Sequence, residues 1–442
     1  MKTEPTLQTR REFLRSTVLT SALSWTVPGF LANTFASLQA QAADSATQIA
    51  TGRDSTILVI LQMAGGNDGL NTVVPFANDY YVKSRPRLAL KGDQVLKLND
   101  SLGLHPALTG FKELYDAGCM SIVQGVGYPN PNRSHFRSTE IWQTAADADR
   151  FEKYGWLGRY FDNACSGCDP TVAIHIGRQM PQAFTAKTPK GVSLENPQSY
   201  RFISSERGGG GEDMMEQSFR EMNEADDAGN SGGSITAISG PGMEMRGSAL
   251  DFLERTALDA QISSDTIRAV SARTQNRVTY PASQLSNSLR LVARLIGGGM
   301  PTRIYYVSQG GYDTHTNQPG TQERLLRDLG GAVQAFMNDM KAQGNLGRVL
   351  LMTFSEFGRR VAENANNGTD HGAAAPLFVF GGKVKPGLAG THPSLAPEDL
   401  VNGDLKHTVD FRSVYAAVLE GWLKTPSEPV LGRRFEPLGL LV

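Results

Sequence analysis

Apolar runs and amphipathic stretches alternate along most of the chain. The first apolar run, Ile57 to Met63, reads ILVILQM. A near-continuous run of this length is typical of a strand in a parallel sheet whose two faces are both covered. The run stops at Gly65-Gly66, where glycine permits a tight turn. The pattern therefore predicts a buried strand that ends in a sharp loop.

Five further apolar runs predict strands, and the segments between several of them show helical periodicity. The predicted strands are 121–126, 171–176, 303–308, 349–354 and 377–380. The predicted helices are 106–117, a segment ending at 142, 250–278, 285–296, 323–342 and 411–423. Strands that alternate with helices predict an α/β fold with a large, mostly parallel sheet flanked by helices.

The first residues have the pattern of a twin-arginine export signal. Arg10 and Arg11 precede a weakly apolar stretch at 16–36, and Ala40-Gln41-Ala42 has the small-x-small form of a cleavage site. Pro28 and the many hydroxyl side chains argue against a membrane anchor. We expect residues 1–42 to be a signal peptide and 43–442 to be the exported domain. The partner during export would be the twin-arginine translocase, and the destination periplasmic or extracellular.

Charge and composition exclude two classes of partner for the mature domain. The 43 Lys and Arg residues nearly balance the 44 Asp and Glu residues, so we expect no nucleic-acid partner. No second stretch has the length of a membrane span, so we expect no stable membrane insertion. Cys165 and Cys168 form a lone CxxC pair, which is consistent with a local disulfide or with two free thiols.

A glycine-rich, acidic segment at 207–247 interrupts the alternation of strands and helices. It lacks the Gly-Lys-Ser/Thr ending of a phosphate loop. We interpret it as a flexible insertion beside the site or as a plain linker, and the sequence does not separate the two.

Acids and histidines concentrate in three short segments near the carboxyl-terminal third. Asp313 and His315 lie in one segment, Glu356 follows the strand predicted at 349–354, and Asp370 adjoins His371. Carboxylate oxygens and imidazole nitrogens after strands suit a divalent metal at the carboxyl edge of a parallel sheet. The alternative for any single histidine is a helix cap or a satisfied buried polar group.

Three other positions have two readings each. Asp68 follows the first strand and is a candidate metal ligand or a turn-stabilising acid. Ser134, beside Arg133, lies where a loop enters a helix, so its hydroxyl suits a helix cap or a nucleophile. Arg359 suits an anionic substrate or a surface pair with Glu363.

Five segments together resemble a known bacterial family. They are LQMAGGNDGLNTVVP at 61–75, GVGYPNPNRSHFRSTEIWQTA at 125–145, GYDTHTNQ at 311–318, TFSEFGRRVAEN at 353–364 and GTDHG at 368–372. In this order they resemble the domain of unknown function family 1501, whose members often carry twin-arginine signals. The resemblance implies the alkaline phosphatase and sulfatase superfamily. It also implies an alkaline-phosphatase-like fold, with a divalent metal at the strand ends and a nucleophile at a helix start.

The resemblance assigns roles to residues of this chain. Ser134 matches the nucleophile, although Asn130 or Asn132 could match a phosphate-binding Asn nearby, and Arg133 or Arg359 would stabilise charge on the substrate. Phe357 stands where an imidazole is expected, and Asp370 could supply the absent ligand. The implied metal ligands are Asp68, Asp313, His315, Glu356, Asp370 and His371.

The implied function is that of an exported, metal-dependent hydrolase of phosphate or sulfate esters. Its cofactor would be a divalent metal (zinc, calcium or manganese), and its substrate a small anionic ester. The alternatives are an inactive member of the superfamily that acts as an exported binding or scaffold protein, and a structural protein stabilised by its metal.

Overall fold

The computed structural model describes residues 55–165, 168–188, 190–198 and 263–442. The predicted signal peptide (1–42) and the glycine-rich insertion (207–247) lie outside the described residues. Most of the helix predicted at 250–278 also lies outside them, and its described part is helical at 263–273.

Fourteen strands are present in the described part of the chain. In chain order they are β1 Ile57–Met63, β2 Val73–Val74, β3 Leu96–Lys97, β4 Gly103–Leu104, β5 Met120–Gly127, β6 Ala173–Ile176, β7 Val192–Leu194, β8 Ile304–Gln309, β9 Val349–Phe354, β10 Arg359–Glu363, β11 Thr369–His371, β12 Ala375–Gly381, β13 Gly387–Ala389 and β14 Val409–Asp410.

Nine of these strands form the central sheet. Its order is β13-β5-β12-β9-β1-β8-β6-β7, with β14 paired to β5. The central strand β1 pairs in parallel with β8 and β9. The predicted fold class, a large mostly parallel sheet flanked by helices, is confirmed.

The strand predicted at 377–380 departs from the expected parallel arrangement. As part of β12 it pairs antiparallel with both β5 and β9. Parallel neighbours need a crossover connection, usually a helix. Between β9 and β12 the chain makes only the antiparallel pair β10–β11, so it returns into the sheet from the edge at which it left.

Nine α-helices lie in the described part of the chain, and a π-helical segment, Ala417–Trp422, continues the eighth. The α-helices are α1 Asp79–Ser84, α2 Thr109–Asp116, α3 His135–Thr144, α4 Trp156–Ala164, α5 263–273, α6 Gln284–Gly297, α7 Gln318–Ala342, α8 Phe411–Ala416 and α9 Glu428–Leu431. Among the described residues, no helix combines the length and the apolar character that a membrane crossing needs.

The two faces of β1 contribute to two separate cores, which explains its nearly continuous apolar sequence. Val59 and Leu61 pack into a core with side chains of α2, α6 and α7. Leu58 and Ile60 pack into the opposite core with side chains of α3, α4 and α8. Because successive side chains point to opposite faces, a strand between two helical layers has no position for an exposed polar residue.

Cys165 and Cys168 form a disulfide at the end of α4. Of the two readings that the sequence left open, the structure therefore shows the local disulfide. Cys119 is the free cysteine of the described residues, and it is partly exposed.

Five chain segments converge at one edge of the sheet. The strands β1, β5, β8 and β9 all present their carboxyl ends there, because they run in the same direction. The antiparallel strand β12 presents its amino end at that edge. The residues that immediately precede β12 therefore lie beside the loops that follow the parallel strands.

Candidate metal centre

Three imidazoles surround the carboxylate of Asp313. One ligand atom from each of His135, Asp313 and His371 lies within 4.8 Å of the others. His371 Nε2 is 3.1 Å from Asp313 Oδ1, and His135 Nε2 is 3.5 Å from Asp313 Oδ2. His315 Nε2 lies 3.2 Å from Asp313 Oδ1 and 2.9 Å from His371 Nε2.

The other ring nitrogen of each histidine faces a hydrogen-bond acceptor. His371 Nδ1 is 2.8 Å from the Arg133 carbonyl oxygen. His135 Nδ1 is 2.8 Å from Glu356 Oε1, and His315 Nδ1 is 3.2 Å from Asp370 Oδ1. A carbonyl or a carboxylate only accepts a hydrogen bond, so each Nδ1 carries a proton, and in the neutral ring Nε2 then keeps its lone pair. Metal-binding histidines are commonly held in this way.

The convergence of lone pairs is the main evidence that the site fits a cation. His135 Nε2 is buried and has no hydrogen-bond partner among the described residues, although it is aimed toward Asp313. Lone pairs and a carboxylate brought this close repel one another unless a proton or a metal lies between them. Nitrogen and oxygen donors in this combination suit zinc or manganese, whereas calcium takes oxygen ligands.

Asp313 stays ionised in this environment. Burial by itself raises the pKa of its carboxyl, but the hydrogen bond and the charge of Arg359, with a contribution from the neighbouring His371, lower that pKa to about 2. The carboxylate is therefore negative at any pH where the imidazoles are neutral, which is the state a metal requires.

Arg359, predicted to contact the substrate, is instead buried behind the centre. Its Nε donates to the Gly66 carbonyl at 2.6 Å and its Nη1 to the Thr369 carbonyl at 2.9 Å. Its Nη2 donates to the carbonyls of Gly65 and Tyr312 and, at 2.8 Å, to Asp313 Oδ1. All three guanidinium nitrogens are thus engaged by the loops that carry the site.

Asp68 is also near the site but not among the converging ligand atoms. Its Oδ2 accepts from Arg85 Nη1 at 2.6 Å and from the Gln318 amide. Both side chains of the ion pair are buried, at 0% exposure for Arg85 and 1% for Asp68. The structure thus places Asp68 in a polar network beneath the loops, because Arg85 reaches it from α1.

Glu356 and Asp370 support the imidazoles from behind. Glu356 follows β9, and its Oε1 accepts from the Gly65 amide as well as from His135. Asp370 accepts from Asn364 Nδ2 at 3.1 Å and from His315. Hydrogen bonding by Asn364, together with His315, keeps the pKa of Asp370 below its ordinary value. Both acids orient imidazoles, and neither is in the group of three that converge.

Ser134 and Arg133 lie in the loop that enters α3. Ser134 occupies the N-cap position, but its hydroxyl makes no capping hydrogen bond, and the residue is exposed. The capping alternative therefore has no hydrogen bond in its favour. Arg133 is half-exposed and bonds Asp404 through its guanidinium, while its carbonyl holds His371.

His135 belongs to the converging group, and the sequence did not single it out as a candidate ligand. It begins α3 directly after Ser134, and in this segment the sequence favoured Ser134 as the candidate functional residue. Phe357, which stands where the family resemblance expects an imidazole, packs its ring 4.9 Å from that of His135 and 4.6 Å from that of His371. The signal that could have found His135 is its position at the start of a helix that follows a buried strand.

Two glycines allow the loops to approach this closely. Gly65 has a φ of +119°, and a Cβ there would lie 2.5 Å from the Asp313 amide nitrogen. A Cβ at Gly368 would lie 2.3 Å from the His315 carbonyl carbon. Only glycine fits such positions without moving the ligand loops.

The sequence matches the model of one protein family over residues 55–431. That family is described as a protein of unknown function, DUF1501. A comparison with curated proteins gave no match.

Several solved structures are distantly similar to this chain. A structure titled Ps i-CgsB in complex with k-i-k-neocarrahexaose has 11% identity and a TM-score of 0.36, over 86% of this chain and 73% of that chain. A protein in the alkaline phosphatase superfamily from Vibrio parahaemolyticus has 10% identity and a TM-score of 0.36, over 93% and 78%. The PsFucS1 sulfatase from Pseudoalteromonas sp. has 9% identity and a TM-score of 0.31, over 80% and 71%. Similarity at this level does not extend to the chemistry of a site.

The placement of Asp68 predicts the effect of Asp68→Asn. The variant would leave the buried Arg85 without its counter-charge, which costs about 3–5 kcal/mol of the free energy of unfolding. Metal bound per folded molecule should stay at the wild-type level. Chemical denaturation and metal analysis measure the two quantities. Glu195→Gln, which breaks the exposed Arg178–Glu195 pair, should cost less than about 1 kcal/mol. If the folded Asp68→Asn variant binds less metal than wild type, Asp68 is a metal ligand after all.

The convergence of imidazoles predicts that His135→Ala and His371→Ala each lower bound metal and the melting temperature together, because metal bound to the folded state stabilises it. Elemental analysis and thermal denaturation, each before and after chelation, measure this. His407→Ala is the matched control, since His407 is partly exposed and outside the cluster. Unchanged metal content in the His135 and His371 variants would contradict the assignment.

Proposed function

The chain belongs to the DUF1501 family of proteins of unknown function, and we propose that it is an exported, metal-dependent hydrolase of phosphate or sulfate esters. The observation that carries the proposal is the arrangement of the imidazoles. His135, His315 and His371 each have Nδ1 bound to an acceptor, and each directs Nε2 toward Asp313. Such a site binds a cation, and it lies at the exposed end of the loops.

His135, Asp313 and His371 would hold the metal, and His315 would complete the ligand set. The donor set favours zinc or manganese over calcium. A divalent metal bound there would supply positive charge against the anionic oxygens of an ester. Glu356 and Asp370 would hold the imidazoles in the tautomer that the metal needs.

Ser134 is the proposed nucleophile. Its hydroxyl makes no capping bond and is exposed, and it immediately precedes the proposed ligand His135. In the substitution, Ser134 Oγ would form a bond to phosphorus or sulfur while the bond to the alcohol oxygen breaks, and the hydroxyl proton would pass to the departing alcohol. Water would then attack the phosphorus or sulfur, release phosphate or sulfate and restore the serine hydroxyl.

The preference for an anionic substrate rests on Arg133. Its side chain is 37% exposed, and its backbone carbonyl is bonded to His371 Nδ1. Arg359 has no such freedom, because its nitrogens are engaged by backbone carbonyls and Asp313. We therefore assign Arg359 a positioning role.

We also propose export by the twin-arginine route to the periplasm or the extracellular space. Support comes from the Arg10-Arg11 pair, the weakly apolar segment after it and the small residues at 40–42. That route carries folded proteins, which suits a site whose ligands come from distant parts of the chain.

The nucleophile assignment predicts that Ser134→Ala abolishes ester turnover while bound metal and stability stay at wild-type levels. The loss of a covalent nucleophile removes several orders of magnitude in rate. Activity on a panel of phosphate and sulfate esters, metal content and melting temperature together test it.

The matched control is Ser283→Ala. Ser283 caps α6, and its Oγ accepts from the Ser286 amide at 3.0 Å. This variant should lose about 1 kcal/mol of the free energy of unfolding and keep its activity. If Ser134→Ala remains active, the nucleophile is a water molecule instead. If the metal-loaded wild type hydrolyses no ester, the hydrolase proposal fails and the binding or scaffold alternative gains.

The export proposal predicts that replacing both Arg10 and Arg11 by lysine leaves uncleaved protein in the cytoplasm. Twin-arginine signals require the paired arginines rather than positive charge alone. Cell fractionation with immunoblotting measures the distribution. Processed protein in the periplasm of the double variant would exclude this route.

A further inference from the structure

A second cluster of charged side chains lies next to the candidate metal centre. Asp404 is buried, with 4% of its side chain exposed, and it accepts from Arg133 Nε at 2.9 Å through Oδ2. Arg360 approaches the other oxygen of the same carboxylate, with its Nε 3.7 Å from Oδ1. One buried anion therefore holds two guanidinium groups.

The two arginines keep unused donors that face solvent. Their side chains are 37% and 38% exposed. Within the described part of the chain, no hydrogen bond involves Nη1 of Arg133 or either Nη of Arg360. Asp404 Oδ1 likewise has no hydrogen-bond partner there. Two guanidiniums and one carboxylate leave one net positive charge with open donors.

The cluster is tied to the metal centre by the backbone. The Arg133 carbonyl accepts the Nδ1 proton of His371. Arg360 follows Arg359, which bonds Asp313, and its charge acts on Asp370. The two arginines are therefore adjacent in the structure to residues of the candidate metal centre.

We propose that Arg133 and Arg360, oriented by Asp404, form an oxyanion-binding subsite beside the metal centre. The subsite takes a phosphate or sulfate group, whose oxygens match the planar fork of donors that each guanidinium offers. Asp404 is a positioning residue, because it restricts both side chains and so lowers the entropy lost on binding. The identification of this oxyanion as part of a substrate rests on the proposed function. The binding of an oxyanion by the two arginines does not depend on it.

The test is a calorimetric titration of the purified protein with sodium sulfate at constant ionic strength, repeated after removal of metal by chelation. Because the metal centre can bind sulfate by itself, the binding that survives chelation identifies the subsite. We expect saturable binding in both states. Arg133→Gln and Arg360→Gln should each raise the dissociation constant about tenfold or more, since each removes charge-assisted hydrogen bonds.

Two further variants sharpen the result. Arg178→Gln removes an exposed arginine that is paired with Glu195 elsewhere, and it should leave sulfate affinity within about twofold of wild type. Arg360→Lys keeps the positive charge but lacks the planar set of donors of a guanidinium. Its dissociation constant for sulfate should lie between those of Arg360→Gln and wild type. Circular dichroism and melting temperature confirm that each variant is folded.

The outcomes are separable from those of the proposed function. Absence of saturable sulfate binding after chelation would overturn the subsite, as would equal affinity in wild type, Arg360→Gln and Arg178→Gln. If the protein binds no metal or hydrolyses no ester but loses sulfate affinity in Arg133→Gln and Arg360→Gln, the subsite stands and the hydrolase proposal falls.

Discussion

The buried guanidinium of Arg359 is the interaction on which the candidate centre depends. It binds the carbonyls of the turn after β1, of the loop after β8 and of β11, and it also binds Asp313. A buried arginine cannot form hydrogen bonds with water, so its N–H groups must donate to acceptors of the protein. Here those donors fix the relative positions of the loops that carry Asp313 and His371. The same cation lowers the pKa of Asp313, so the architecture and the charge state of the site share one cause.

The orientation of each imidazole is likewise determined by a hydrogen bond to a protein acceptor. Glu356, Asp370 and the Arg133 carbonyl each accept one Nδ1 proton. The remaining nitrogens have no partner of their own except one another and Asp313. Lone pairs and a carboxylate this close repel one another unless a proton or a cation lies between them.

Ion pairs between carboxylates and arginines recur around this edge of the sheet. The pairs Asp68–Arg85, Asp313–Arg359 and Asp404–Arg133 all include a largely buried group. They differ in exposure, and that difference separates their roles. Arg85 and Arg359 are enclosed and support loops. Arg133 and Arg360 are half-exposed and keep donors for a ligand.

The sequence by itself determined the fold class, the strands β1 and β9 to the residue, and the segments that supply most of the site. These predictions depend on local patterns, since a strand buried on both faces is apolar along most of its length. Tertiary structure alone decided which polar groups meet. The strand β12 is antiparallel to its neighbours rather than parallel, because the chain re-enters the sheet without a crossover. Tertiary structure also paired Asp68 with Arg85 from α1, turned Arg359 inward, and brought His135 from the start of α3 to Asp313 and His371. Such contacts join residues far apart in the chain, and no periodicity in one sequence encodes their distances.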